Sequence, residues 1–468
     1  MSNLKISRLE TPGLLFGEGK VGLMPNQLAS HDFKPYRMPR QTSIDVVVVY
    51  PQNYENETKM LIRELKEGSS YSKRFYPGFQ KTFKINFEVR EQKFGSLTFD
   101  YEQDYKDYID AIEDSSPSPT EVILVIIPKT PRVLSNTPYY LIKKYLIENE
   151  LHSQMVTIDI LRDYYRFRMS LFPIAMQIFT KIGGVPYALS APLGITKPQS
   201  LSMMIGVGLS KIKNESGKVA QYIGYINVFE AHGVWRFSNF FVKPYIGGEE
   251  GKIMLAEAFK TLIRDAIRKI IEEEKARRRD IEEVNLIIHY SGKEISVKEE
   301  IAIIEASKNM NKLVGIPVKP AILKIFTNSI YRAFDERRET YHIAAGTYIE
   351  IQPTLYLLST TGYLPERDRV IGLGTPNPLS ISIKESGPLD VEGLMYSVFA
   401  MTRVNYAGLT IITREPATTR YSRKMAYMMG KLGYEDLSRK HEYLSLSLIH
   451  ISEPTRPLYI SYAVFCLK

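Results

Sequence analysis

Cysteine is nearly absent. The one example, Cys466, lies two residues from the last position, so neither a disulfide framework nor a cysteine-based zinc site can be assembled. The seven histidines are scattered and form no His-Glu-x-x-His pair, which argues against a histidine zinc site. Long apolar runs are missing as well. Spanning a bilayer takes ~18 or more nearly unbroken apolar residues, whereas the longest runs here, Val46–Tyr50 and Val122–Ile127, have the length of buried strands. The opening MSNLKISRLETPGLL has no apolar core followed by small cleavage-site residues, so no signal peptide is expected. These absences predict a cytoplasmic protein with no membrane partner. Phosphate loops of the Gly-x4-Gly-Lys-Ser/Thr kind are also lacking. Gly206-Val-Gly208 and Gly372-Leu-Gly374 want the third glycine and the strand-to-helix setting of a dinucleotide site.

What is present is an ordinary globular composition, 44% hydrophobic and 24% charged. At ~150 residues per domain, 468 residues suggest two or three domains. The 61 Lys and Arg exceed the 52 Asp and Glu by nine; spread over the chain this is solvated surface, and only a clustered patch would point to nucleic acid.

Residues 1–40 read as a loop-like N-terminal extension. From Ile44 onward strands and helices alternate: strands at 44–50, 83–89 and 122–128, and helices at 58–66, 138–148 and 164–180. That alternation predicts a mostly parallel sheet covered on both faces, over residues 41–195. The Pro/Gly-rich stretch 183–198 is the clearest boundary. Three strands follow in quick succession, at 201–212, 219–229 and 234–242, then a long helix at 252–279. A buried strand at 284–290 and a helix from Val297 come next, then strands near 321–327, 348–358 and 380–383. Helices at 391–402 and 417–432 close a second domain, 196–443. Three antiparallel strands, a helix and a parallel strand is the order of an RNase H-like sheet. Residues 444–468 change character abruptly. The stretch Ser447–Arg456, SLIHISEPTR, looks like an in-frame translation of a sequencing-library adaptor, so this tail is expected to be non-native and is excluded from fold reasoning.

One stretch carries chemistry. Between Pro138 and Pro186, Tyr139 and Lys143 are four apart and share a helix face, Gln154 opens a strand-like segment, and Lys181 ends a helix just before Gly183-Gly184. A tyrosine hydroxyl, two ammoniums and an amide could converge on a phosphate, with a ring to stack a base. Such a helix face equally suits plain solvent exposure. His289, ending an apolar strand, reads as a structural histidine.

Tyr-x3-Lys, then Ser-Gln, then Gln-Ile-x-x-Lys-x-Gly-Gly-x-Pro resembles the guide-binding signature of the MID domain in Argonaute proteins. The resemblance extends into the second domain. Ile205-Gly-Val-Gly-Leu-Ser210, Ile287-Ile-His-Tyr-Ser-Gly292, Phe399–Tyr406 and Glu415–Ala426 are similar to successive PIWI segments. The implied fold class is α/β, a Rossmann-like MID domain followed by an RNase H-like PIWI domain, and coverage runs from about residue 40 to 440. It implies that Tyr139 stacks on the first base of a guide, while Lys143, Gln154 and Lys181 grip its 5′-phosphate. Where slicing members carry catalytic acids, this chain has Gly208, Ser291 and, near the final position, Arg423. Two-metal hydrolysis needs carboxylates to hold ions ~3.5–4 Å apart, so no catalytic activity and no catalytic metal are expected.

Only about forty residues precede the first domain, and the opening (Leu14-Leu-Phe-Gly17, then Gly22-Leu-Met-Pro25) looks like that of short prokaryotic Argonautes. That class implies a small guide RNA (or DNA), complementary invading DNA as target, and an APAZ-domain effector chain of sirtuin-like, TIR or nuclease type as partner in prokaryotic defence. Arg236, Lys243, Lys384, Arg403 and Arg420 are candidate residues of a guide channel. Mg2+ at the guide 5′-phosphate, helped by the terminal carboxylate, is the one cofactor the resemblance allows. Two alternatives stay open: an active endonuclease using other acids such as Glu294 or Asp280, and a structural partner of the effector that holds no guide.

Overall fold

The structure is a computed structural model that describes residues 4–71, 73, 75–130, 137–213, 216–292, 295–371, 377–406 and 413–432. The expected non-native tail, Glu294 and the Gly372-Leu-Gly374 pair lie outside the described residues. Residues 1–40 were expected to be loop. They instead stitch the molecule together. Ile6–Arg8 forms an edge strand antiparallel to Thr347–Ile349, and Leu14–Leu15 pairs with both Val21–Gly22 and Ala188–Leu189. Leu9 is buried with the core of the C-terminal half, whereas Phe16 and Leu28 are buried with that of the N-terminal half.

The N-terminal half alternates β1 (Ser43–Pro51), α1 (Glu55–Glu67), β2 (Asn86–Phe94), α2 (Tyr101–Asp114), β3 (Val122–Ile127), α3 (Pro138–Glu148), β4 (His152–Thr157) and α4 (Tyr164–Lys181). The strands lie in the order β2-β1-β3-β4, every neighbouring pair parallel. All six β3 residues are buried, as expected of a central parallel strand covered on both faces. α2 was not anticipated. Its buried face is built from Tyr108, Ala111 and Ile112, and Asp100 caps it by accepting from the amides of Glu102 and Gln103. The segment from Phe83, expected as strand, starts with a short helix, Phe79–Phe83, and the strand begins only at Asn86. Phe83 turns inward to stack on Phe179 at 4.5 Å, and Lys84 adopts a left-handed conformation to end the turn.

The C-terminal half contains β5 (Ser200–Lys213), β6 (Val219–Glu230), β7 (Trp235–Pro244), α5 (Gly248–Ala276), β8 (Glu283–Ser291), α6 (Val297–Lys308), β9 (Val318–Phe326), β10 (Thr347–Gln352), β11 (Leu355–Leu358), β12 (Leu379–Glu385), α7 (Val391–Met401) and α8 (Ala417–Leu432). Its nine-stranded sheet runs Ile6–Arg8, β10, β11, β12, β9, β8, β5, β6, β7. β6 lies antiparallel to both β5 and β7, and β8 returns parallel to β5. That is the RNase H-like order. The expected single strand over 348–358 is a hairpin, β10 with β11.

α8 crosses β5 with almost no room. A Cβ at Gly206 would overlap the Thr418 carbonyl oxygen, and one at Gly208 the Ser422 carbonyl oxygen. Only glycine admits so close an approach of backbone to backbone.

The N-terminal strap makes a direct prediction. Phe16 is 1% exposed and packs edge-on against Phe33 at 5.0 Å. Phe16→Ala should therefore cost roughly 3–5 kcal/mol in chemical denaturation; a loss below about 1 kcal/mol would mean the strap contributes no core.

Candidate nucleic-acid interface

α3 starts with Pro138 in its first turn, where the missing amide proton costs nothing. Ile142 and Leu146 point into the N-terminal core, while Tyr140 and Ile147 share an apolar cluster with Met425, Met429 and Leu432 of α8 and Ile223 of β6. Packed from two directions, the helix buries Lys143 to 1% exposure. The Lys143 ammonium donates to the Ser153 hydroxyl at 2.7 Å and, more weakly, to the Ser153 carbonyl at 3.4 Å. Lys181, closing α4, is equally buried. Gln154 is buried on β4, its amide nitrogen donating to the Met155 carbonyl at 3.0 Å. Tyr139 lies half-buried on α3, its ring edge-on to Tyr140 at 5.1 Å.

Electrostatics tie these groups into one site. Burial holds the Lys143 ammonium down to about 7. Burial, and then the charge of Lys143, hold Lys181 well below its ordinary range. His152 is pushed down to about 4 by burial and then by Lys181 and Lys143. The structure thus brings Lys143 and Lys181 together around the start of β4, with His152 and Ser153. Gln154 follows on that strand, and Tyr139 is one helical turn from Lys143. His152 was not anticipated. The available signal was alternation, since two residues before Gln154 on a strand means the same face. Two ammoniums in electrostatic range of each other and of an imidazole, one of them bonded to the Ser153 hydroxyl, make a donor-rich site suited to a multiply charged oxyanion.

The three positions of missing acids are also placed. β8 pairs with β5 through His289 opposite Gly206 and Tyr290 opposite Val207, so Ser291 ends its strand level with Gly208. Arg423, on α8, is ion-paired to Glu415 at 2.6 Å. Among the described residues no group of three or more His, Cys, Asp or Glu is arranged to hold a metal. Asp280 is exposed and precedes β8, whose length of ~26 Å, at ~3.3 Å per residue, separates it from Ser291. His289 is the structural histidine expected: its two ring nitrogens meet the hydroxyls of Thr418 at 3.0 Å and Ser397 at 3.1 Å, and burial holds it neutral, down to about 3.

Three of the five candidate channel residues are engaged by other groups of the protein. Arg403 is buried, with a guanidinium nitrogen 2.5 Å from the Leu23 carbonyl. It braces the N-terminal strap and cannot face a channel. Arg236 is ion-paired to Glu230 and Glu273, and Lys384 to Glu300 at 2.8 Å. Lys243 is exposed on β7, and Arg420 half-buried on α8. β7 and β12 stand five strand spacings apart, roughly 24 Å at ~4.8 Å each, so Arg236 and Lys384 are not neighbours.

With this geometry in hand, comparison with known proteins places the chain. Residues 122–433 match the Piwi domain family, and the chain belongs to that family. The fold is Argonaute-like. A "Piwi protein" of Archaeoglobus fulgidus is 22% identical over 413 residues, 86% of this chain and 87% of that one. Drosophila Piwi superposes with a TM-score of 0.65 at 17% identity, over 94% of this chain and 56% of that structure. Clostridium butyricum Argonaute, solved with a guide DNA (5′ deoxycytidine) and a 19-mer target DNA, gives 0.66 at 18% identity, over 92% of this chain and 54% of that structure. The chain spans about half the length of these solved structures. Among the described residues, no helix is long and apolar enough to cross a membrane.

The depressed Lys143 makes the site measurable. Because the folded state disfavours the charge, it binds fewer protons than the unfolded chain between pH 7 and 10.5. The penalty is complete below pH 7 and is relieved as pH rises toward 10.5. Denaturation midpoints of wild type relative to Lys143→Met should therefore rise from pH 7 to 10; a constant difference would show that burial does not depress this lysine.

Proposed function

We propose that this protein anchors the 5′-phosphate of a small guide, RNA in preference to DNA, and presents it for pairing with complementary invading DNA without cutting either strand. The observation that carries this reading is the buried Lys143–Lys181 pair meeting at β4. Two desolvated ammoniums in mutual range favour an anion, and a terminal phosphate is denser in charge than any internal phosphodiester. Tyr139, half-buried beside them, offers a ring for the first base. Base pairing then reads the target, so the protein itself need not be sequence-specific.

Gly208 supports the non-cleaving part of the proposal. A carboxylate there would have to occupy the volume of the α8 backbone at Ser422. The pocket's donors are ammoniums, an amide, a hydroxyl and an imidazole, a set that does not fit Mg2+, so guide binding is proposed to need no metal from these residues. A protein that holds a guide–target duplex without cutting it requires another chain to act on the signal. On the resemblance to short prokaryotic Argonautes, that chain is proposed to be an APAZ-bearing effector in cellular defence.

Direct comparison of 5′-phosphorylated and 5′-hydroxyl RNA tests the pocket. The phosphorylated strand should bind far more tightly, and equal affinities would place the 5′ end elsewhere. Replacing both lysines, Lys143→Met with Lys181→Met, should remove about 1.5–3 kcal/mol per charge-assisted contact from the phosphorylated guide and leave the hydroxyl one unchanged. Restoring acids, Gly208→Asp with Ser291→Asp, should not produce a nuclease. Overpacking against α8 should instead lower stability by about 1–3 kcal/mol or more; magnesium-dependent cleavage of a complementary DNA, by wild type or variant, would refute the non-cleaving reading.

A further inference from the structure

Aromatic side chains gather at the exposed start of α4. Tyr164, Tyr165 and Met169 are 61%, 68% and 42% exposed. With Arg168 they stand at positions i, i+1, i+4 and i+5 and share one helix face, while Phe167, Leu171 and Phe172 are buried behind it. Tyr71, as open as Tyr164, joins them from the turn that follows α1. That turn is fixed at its base. The Ser69 amide donates to the Tyr76 carbonyl at 2.9 Å, and the Ser70 hydroxyl to the Glu64 carboxylate at 2.6 Å. The buried Tyr76 hydroxyl donates to the Leu65 carbonyl at 2.9 Å, and its ring lies edge-on to Phe172 of α4 at 5.8 Å.

Arg168 is clasped between two of these rings. Its guanidinium lies over Tyr71 and, at 5.1 Å, over Tyr164. The neighbouring cations have partners: Arg162 pairs with Glu57 at 2.7 Å, and Arg166 with Asp159 at 3.5 Å and Asp163 at 3.3 Å. Among the described residues Arg168 makes no hydrogen bond and no ion pair, and of its nitrogens only Nε is buried. The terminal fork therefore faces outward, held in place by stacking and bonded to nothing. A carboxylate matches such a fork with two parallel hydrogen bonds, and a side chain already held still loses little freedom when a ligand docks.

We propose that this patch is the docking surface for an acidic segment of another protein, with a carboxylate on Arg168 and apolar side chains against Tyr164, Tyr165 and Met169. Tyrosine, arginine and methionine are residues that concentrate at protein–protein contacts. A nucleic-acid strand fits less well. The guanidinium already takes a face of two rings on which bases would stack, one unpaired cation is few for a phosphate backbone, and the half-open carboxylate of Asp163 stands close by. A second copy of this chain brings the same formal charge of +9, not an excess of acid. The inference goes beyond the guide-binding reading and uses no residue of the Lys143–Lys181 pocket. Arg168 precedes Lys181 by 13 residues of α4, roughly 20 Å at ~1.5 Å each.

A random peptide library displayed on phage and selected on the full chain tests the surface. Only binders that K143M/K181M also retains are counted, which sets aside acidic peptides drawn to the lysine pocket. These binders should carry Asp or Glu beside Leu, Phe or Trp. R168Q and Y164A/Y165A should each weaken them about tenfold or more, with the thermal midpoint unchanged. R168E should instead bind the version of the peptide in which Arg replaces the acid. Binders without acids, or acidic binders indifferent to R168Q, would overturn the proposal. If R168Q weakens single-stranded RNA lacking a 5′-phosphate and leaves the peptides unaffected, the patch is a strand surface and the proposal fails. A dimer in sedimentation that R168Q splits would overturn it in favour of self-association. Equal affinity for 5′-phosphorylated and 5′-hydroxyl RNA, with the peptide results as expected, would strike the Lys143–Lys181 reading and leave this surface standing.

Discussion

The approach of α8 to β5 sets the rest of the architecture. Because residues 206 and 208 have no side chains, the Thr418 and Ser422 carbonyls come down onto the strand. The contact is secured by polar groups at its margins: the Asn227 amide donates to the Ser422 hydroxyl at 3.1 Å, and His289 bridges Thr418 and Ser397. Seated this way, the helix offers Met425 and Met429 to Tyr140 and Ile147 of α3. The helix that carries Tyr139 and Lys143 is thereby positioned by the other half of the molecule. The same contact fills the space an acidic side chain at residue 208 would need, so tight docking of the halves and a carboxylate at that position are alternatives.

The chemistry at β4 follows from that rigidity. An exposed lysine pair would relax by turning into water; Lys143 and Lys181 are closed in by packed helices and stay near each other at a cost in solvation. Sites of this kind break the usual rules of burial, and such departures concentrate where ligands bind.

Much of this was legible in the residues. The bounds of α3 and α8 could be read directly, since Pro138 marks one start and apolar periodicity runs cleanly through both. The antiparallel trio followed by a parallel strand followed from the spacing of apolar runs. What escaped reading was non-local or depended on burial. α2 hides its apolar face in tyrosines among carboxylates, which a hydropathy pattern scores as polar. Ile6–Arg8 has no strand signal of its own, because its partner lies more than three hundred residues away. Arg403 looks like any surface cation until the Leu23 carbonyl is seen to accept from it. His152 was within reach of simple alternation and was passed over.

The edge strand Ile6–Arg8 has a consequence for biogenesis. It leaves the ribosome more than three hundred residues ahead of its partner Thr347–Ile349, which emerges only after most of the C-terminal sheet has been made. At roughly 5–20 residues per second, the nascent chain keeps an unpaired, partly apolar strand waiting for tens of seconds. Closure of the nine-stranded sheet is therefore a late event in synthesis, and the waiting strand is a natural place for a chaperone to act.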